Sequence, residues 1–307
     1  MAEPLRMILD VDTGTDDALA LALAVRSPDV ELVGVTTVAG NVPLPRTTEN
    51  TLRVLAHLGA ASVPVHRGFS RPLARELASA AEFHGDDGLG GLVLPSSDAT
   101  IVRPSAPEYL VETIMGAPGE ITLLCLGPLT NLAAAIALEP ELPGALGRLV
   151  LMGGALGRGN VTYYAEFNIY VDPEAAAQVF AACPLTMVGL DVTQRASLTP
   201  AAVKPLAGLE SPAARLVDGV TARTFGERGK GEYHLHDPLA VAVALDPTLC
   251  ETKRGTVTVE TATAWCAGRT TLAEADDGPH AVCVEVDTPR FLRLFAETLE
   301  LPNLDPG

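Results

Sequence analysis

Basic residues are in short supply in this 307-residue chain: 21 Lys and Arg stand against 38 Asp and Glu, giving a net charge of −17, and no run of Lys or Arg occurs. Nucleic-acid binding needs a basic patch, so nucleic acid is excluded as a partner. Cysteines are few, odd in number and widely spaced (Cys125, Cys183, Cys250, Cys266, Cys283), with no Cys-x-x-Cys pair. That pattern excludes a disulfide framework or a thiolate zinc site, and points to a reduced, cytoplasmic compartment. No apolar run approaches the ~20 residues of a membrane span, so no membrane partner is expected. A leader segment is not expected either, because the chain passes within a few residues into a strand. Aromatics make up 4% and charged residues 19%.

What remains is a 48% hydrophobic chain whose core must be Ala, Leu and Val, as in parallel-sheet proteins. Strand-like runs at 5–9, 31–38, 121–126, 149–152 and 185–190 alternate with helical stretches at 18–25, 47–58, 107–115, 130–138 and 173–181. Alternating units of this kind predict a mostly parallel sheet flanked by helices. No repeat or low-complexity linker interrupts the chain, so residues 1–307 are read as a single Rossmann-like α/β domain. The stretch 196–228 has helical composition with scattered glycines and is expected to be a mobile flap. A small C-terminal strand set follows at 256–261, 269–272 and 282–286, with a final helix at 288–299.

The most informative segment is Asp10-Val11-Asp12-Thr13-Gly14-Thr15-Asp16-Asp17, four carboxylates in eight positions directly after the first strand. Asp12 could cap the following helix, and Asp16 or Asp17 could face its dipole. Four acids around one glycine turn exceed those roles, because clustered carboxylates raise one another's pKa unless a cation neutralises them. An all-oxygen set selects a hard cation, calcium or magnesium, over zinc. The strand-to-helix junction is also where open α/β sheets bind ligands.

Other strand ends are polar as well. Thr36-Thr37-Val38-Ala39-Gly40-Asn41 closes the second strand with an amide, Leu126-Gly127-Pro128 leaves the Leu126 carbonyl free to ligate, and Met152-Gly153-Gly154 lets a ligand approach the backbone. Glu166 and Asn168, two apart, would share a face in an extended segment; with Asn160 they suit the hydroxyls of a polyol. Asp237 before Pro238 reads as an N-cap, with His236 beside it. His84 precedes a glycine-rich loop (Gly85 to Gly91) that lacks a P-loop ending and carries two aspartates, so a lid is a better reading than a phosphate cradle.

Taken together, Asp10-Val11-Asp12-Thr13-Gly14-Thr15-Asp16-Asp17-Ala18, Thr36 to Asn41, Leu149 to Gly154, Ala165-Glu166-Phe167-Asn168 with Asp172-Pro173-Glu174-Ala175-Ala176, and His236-Asp237-Pro238 resemble the signature blocks of the nucleoside hydrolases, in that family's order. Thr13 departs from the family's usual proline. The resemblance implies a calcium-dependent enzyme that splits a ribonucleoside into ribose and free base, assembled as a homodimer or homotetramer. Residue by residue, it implies calcium on Asp12, Asp17, Asp237 and the Leu126 carbonyl, with Asp10 orienting them from behind. It places Asp16, Asn41, Met152, Asn160, Glu166, Phe167 and Asn168 around the ribose, and His84 over the substrate.

Asp12 would accept a proton from the attacking water. His236, with an ordinary pKa near working pH, would protonate the departing base. The reaction passes through an oxocarbenium-like state, as in glycoside hydrolysis. Base contacts are expected from the neighbourhood of His84 and from 224–233, with Phe225, Tyr233 and His234 as candidates; uridine, cytidine and inosine stay open. Two alternatives stand beside this reading. One is a haloacid-dehalogenase-like phosphohydrolase, which does not account for Asp16-Asp17 or Glu166-x-Asn168; the other is a nucleoside- or sugar-binding protein without hydrolysis.

Overall fold

The computed structural model describes residues 3–304. Strands β1 (Leu5–Val11), β2 (Val30–Thr37), β3 (Val65–Arg67), β4 (Thr122–Cys125), β5 (Arg148–Met152) and β6 (Leu185–Val188) are followed by a short pair, β7 (Ser197–Leu198) and β8 (Tyr233–His234), and then by β9 (Cys250–Val259), β10 (Thr270–Glu274) and β11 (His280–Val286). The helices between them are α1 (Thr15–Arg26), α2 (Leu44–His57), α3 (Ala81–His84), α4 (Ala106–Gly116), α5 (Thr130–Leu138), α6 (Leu142–Ala145), α7 (Phe167–Val171), α8 (Pro173–Ala182), α9 (Leu190–Thr193), α10 (Pro200–Val203), α11 (Pro212–Phe225), α12 (His236–Leu245) and α13 (Thr288–Thr298).

Nine strands form one sheet in the order β10-β9-β11-β6-β5-β4-β1-β2-β3, parallel except for β9, which runs antiparallel to both of its neighbours. The C-terminal strands therefore extend the main sheet through the β11–β6 pairing. Strand β9 starts earlier than the hydrophobic pattern predicts, because its first half, Cys250 to Gly255, is mostly exposed and polar.

Along β1 the apolar side chains alternate between two cores. Met7, Leu9 and Val11 pack with α1, α11 and α12 on one face, and Ile8 packs with α4, α5 and α8 on the other. Burial on both faces explains why the parallel strands read as continuous apolar runs. The stretch 196–228 is docked rather than free: α11 buries Leu216, Val217 and Val220 at helical spacing and packs against α1. Among the described residues, no helix is long and apolar enough to cross a membrane.

The strand order positions the site. From β1 the chain builds outward through β2 to β3, then returns to place β4 on the other side of β1. That reversal opens a crevice beyond the carboxyl ends of β1 and β4, the place where doubly wound sheets bind ligands.

Candidate active site

Strand β1 ends at Val11, so Asp12 sits in the crevice itself, fully buried. Its Oδ2 accepts the Asn41 backbone N–H at 2.7 Å, while Oδ1 is buried with no partner. Gly40 makes this approach possible, since a Cβ there would lie 2.1 Å from Asp12 Oδ2. Gly14 opens α1, and Asp17 reaches back across the turn to accept the Gly14 N–H at 2.8 Å and the Asp12 N–H at 3.2 Å. The Asn41 side chain donates to the same carboxylate at 3.2 Å. Asp237 arrives from α12. Contrary to the N-cap reading, the helix already begins at His236, so Asp237 lies within the first turn and its carboxylate joins the cluster instead of capping.

Carboxylate oxygens of Asp16, Asp17 and Asp237 all lie within 4.8 Å of one another. Asp12 is absent from that triad but acts on it electrostatically. Burial raises the Asp12 carboxyl well above the usual range, with the Asp17 charge adding to it; Asp237 is raised by burial and by Asp16, Asp17 and Asp12. Asp17 is pushed up to about 7, by burial and then by Asp16. Among the described residues no Lys or Arg ion-pairs with these acids; the nearest partner is His84, whose Nδ1 is 3.9 Å from Asp16.

Unneutralised carboxylates packed this closely are unfavourable, and Asp12 Oδ1 and Asp16 Oδ1 are both buried without a hydrogen bond. The residues thus fit a hard cation with oxygen ligands. Asp10 stands behind, its Oδ1 accepting from the Thr36 hydroxyl at 2.6 Å and the Asn131 amide at 2.7 Å, with burial pushing it up to about 7.

A cleft of about 680 Å³ opens above the cluster, lined by Asp16, Asn41, His84, Leu126, Met152, Asn160, Glu166, Phe167, Asn168, His236 and Asp237. The expected site residues missing from that lining are Asp10, Asp12 and Asp17, which lie fully buried. Glu166 and Asn168 meet there, but not on an extended segment. Glu166 caps α7, accepting the Asn168 and Ile169 N–H groups at 2.8 and 3.1 Å and the Gly154 N–H at 3.0 Å. Burial still lifts its carboxyl to about 7. Asn168, in the first turn, donates to the Leu126 carbonyl at 2.7 Å and to the Met152 carbonyl at 3.1 Å. The Leu126 carbonyl is thus already engaged once, with its second lone pair left for a ligand.

His236 also lines the cleft, its Nδ1 2.8 Å from the Thr193 hydroxyl. The expectation of an unperturbed histidine does not hold: burial lowers it to about 4, with Asp16 opposing that shift and His234 and His84 adding to it. His84 is likewise lowered by burial, and its Nδ1 accepts the Thr15 N–H at 3.1 Å. Tyr233 and His234 line the cleft; Phe225 instead packs against the core. Sequence reasoning missed Thr15, Gln194 and Phe83 as lining residues. Phe83 falls in the neighbourhood of His84 from which base contacts are expected, whereas Gln194 reaches the cleft through a chain crossing that leaves no local pattern. Trp265 lies outside the lining, two-thirds exposed and edge-on to Tyr164.

The chain is similar to known proteins along nearly its whole length. The family described as "Inosine-uridine preferring nucleoside hydrolase" matches residues 7–293. The chain is 38% identical over 304 residues to the "Pyrimidine-specific ribonucleoside hydrolase RihA" of Shewanella woodyi, covering 96% of this chain and 97% of that protein. Among solved structures, a plant nucleoside hydrolase superposes with a TM-score of 0.91 at 34% identity, covering 97% of this chain and all of that one. A purine-preferring ribonucleoside hydrolase from Gardnerella vaginalis gives 0.90 at 36%, covering 96% and 98%.

Proposed function

The chain belongs to the inosine-uridine preferring nucleoside hydrolases, and from that membership we propose that it hydrolyses the N-glycosidic bond of uridine, cytidine or inosine, with calcium bound at the buried acids. The observation that carries this reading is the partnerless, fully buried Asp12 Oδ1 beside a cleft that His236 also lines. A phosphohydrolase of the haloacid-dehalogenase kind loses its ground with the family assignment.

Asp12, Asp17, Asp237 and the Leu126 carbonyl would hold the ion, with Asp16 beside them reaching up into the cleft. Bound there, calcium neutralises the acids and polarises the oxygens next to it. Asp12, whose Oδ1 has no hydrogen-bond partner, would take a proton from the water that attacks the anomeric carbon. Positive charge grows on the ribose ring, and Asp16 and Glu166 favour it electrostatically. Asn41, Met152, Asn160, Phe167 and Asn168 seat the sugar. His236, its Nδ1 2.8 Å from the Thr193 hydroxyl, would as the imidazolium give a proton to the departing base and revert to neutral imidazole. Residence in the cytoplasm, supported by five buried free cysteines, and assembly as a homodimer or homotetramer complete the proposal.

Incubation with a panel of ribonucleosides in calcium tests it: reducing sugar and free base should appear in equal amounts from uridine, cytidine or inosine. Binding of these nucleosides without release of sugar would refute the hydrolytic reading.

A further inference from the structure

Helix α2 turns a polar face inward: Thr47, Thr48, Asn50 and Thr51 are all buried. Buried polar groups are costly unless each finds a partner. The Thr48 hydroxyl donates to the Leu44 carbonyl at 2.8 Å and lies 2.9 Å from the Thr37 hydroxyl; Thr51 donates to the Thr47 carbonyl at 2.9 Å and lies 2.6 Å from the Thr13 hydroxyl. Asn50 differs, because both of its bonds leave the helix for two separate segments. Its Nδ2 donates to the Thr13 carbonyl at 3.2 Å and to the Asp87 carbonyl at 2.9 Å. Thr13 belongs to the turn that carries Asp12, Asp16 and Asp17. Asp87 belongs to the glycine-rich loop that follows His84, and its own carboxylate accepts the Leu89 and Gly91 N–H groups at 3.2 and 2.9 Å.

The loop is shaped to meet that amide. Gly88 has φ +79°, and a Cβ on it would lie 2.7 Å from Asn50 Nδ2. On the other side of the loop, the Thr15 N–H binds His84 Nδ1. The loop is therefore tied to the acid turn at two points, and Asn50 is the tie remote from the cleft, since it does not line it.

We propose that Asn50 is a positioning residue: one side-chain amide holds the acid turn and the His84 loop in register, so that His84 stays over the acids. This rests on the reading of the cleft as a ribonucleoside site closed by His84. An amide suits the position because two N–H hydrogens meet two carbonyl acceptors; a carboxylate of the same size offers acceptors only, and a hydroxyl offers one hydrogen.

The test compares Asn50→Ala and Asn50→Asp with Thr48→Val, which removes a buried hydroxyl from the same helix without touching either segment. Hydrogen–deuterium exchange of residues 85–91, measured without substrate, should quicken roughly tenfold in both Asn50 variants and stay within about twofold of the parent in Thr48→Val. In ribonucleoside hydrolysis the Asn50 variants should raise KM about tenfold while kcat changes by less than about threefold. Unchanged loop exchange in Asn50→Ala, parent-like exchange in Asn50→Asp, or equal quickening in Thr48→Val would overturn the proposal. The exchange readout needs no turnover, so an inactive protein with a loosened loop would sink the hydrolase reading and leave the tie standing.

Discussion

Asn in place of Asp12 lowers kcat for a ribonucleoside by about 10²–10⁴-fold at saturating calcium, the range for losing a general base. Asparagine keeps the size of the side chain and an oxygen to accept the Asn41 N–H that holds Asp12 Oδ2 at 2.7 Å. What disappears is the negative oxygen able to take a proton from water. The substitution also removes a charge from the acid cluster, so calcium affinity changes with it. Calorimetric calcium titration of the variant fixes the concentration at which kcat is read, separating the two effects. A kcat within about threefold of the parent at saturating calcium would remove Asp12 from the chemistry.

The second large effect concerns His236. In Asp12→Asn the attack on the sugar is weakened; in His236→Ala the departure of the base is. A nucleobase leaves poorly until protonated, so kcat for uridine or inosine should fall by about 10²–10⁴-fold in His236→Ala. p-Nitrophenyl riboside carries a leaving group stable as its anion and should be cleaved by the variant within about fivefold of the parent rate. Burial lowers the His236 pKa to about 4, so at working pH the imidazolium able to give up a proton is the minor form; protonation of the base draws on that form and leaves neutral imidazole, and the substrate contrast reads whether that transfer occurs. Equal losses on both substrates would show that His236 shapes the cleft without moving a proton.

Much of this site was legible because its residues follow a local rule. Carboxylates after an apolar run mark the end of a buried strand, so the Asp12 turn, the Leu126 and Met152 strand ends and the helical start at Asp172 all fell where the pattern put them. The distant partner Asp237 could be assigned only through the family resemblance, and its exact placement, one residue inside α12 instead of at its cap, depends on where the preceding Leu235 breaks the helix. Glu166 and Asn168 do not share an extended segment: Glu166 has extended backbone but caps α7, and Asn168 already lies in its first turn, a difference that a two-residue spacing does not signal. The depressed His236 was hidden for a different reason: desolvation is a property of the walls around a side chain, and those come from α9, β8 and the His84 loop. Asn50 lay beyond reach altogether, since an amide on an amphipathic helix gives no sign of which carbonyls the fold brings to it.

The acids also set the pH behaviour of the candidate metal site. Asp17, Asp10 and Glu166 have folded pKa values raised to about 7, so the metal-free fold holds protons that the unfolded chain has released. Their contribution favours the metal-free fold below about pH 4 and is lost as pH rises through about 7. Cation binding displaces protons from the clustered acids, so calcium should bind more tightly as pH rises through that window.

The most direct test of the central claim, that a cation held by buried carboxylates is required to split ribonucleosides, is ribose release after exhaustive chelation and after calcium is restored. The account predicts that release from the preferred nucleoside stops on chelation and returns with added calcium. Undiminished ribose release from a fully chelated protein would contradict it.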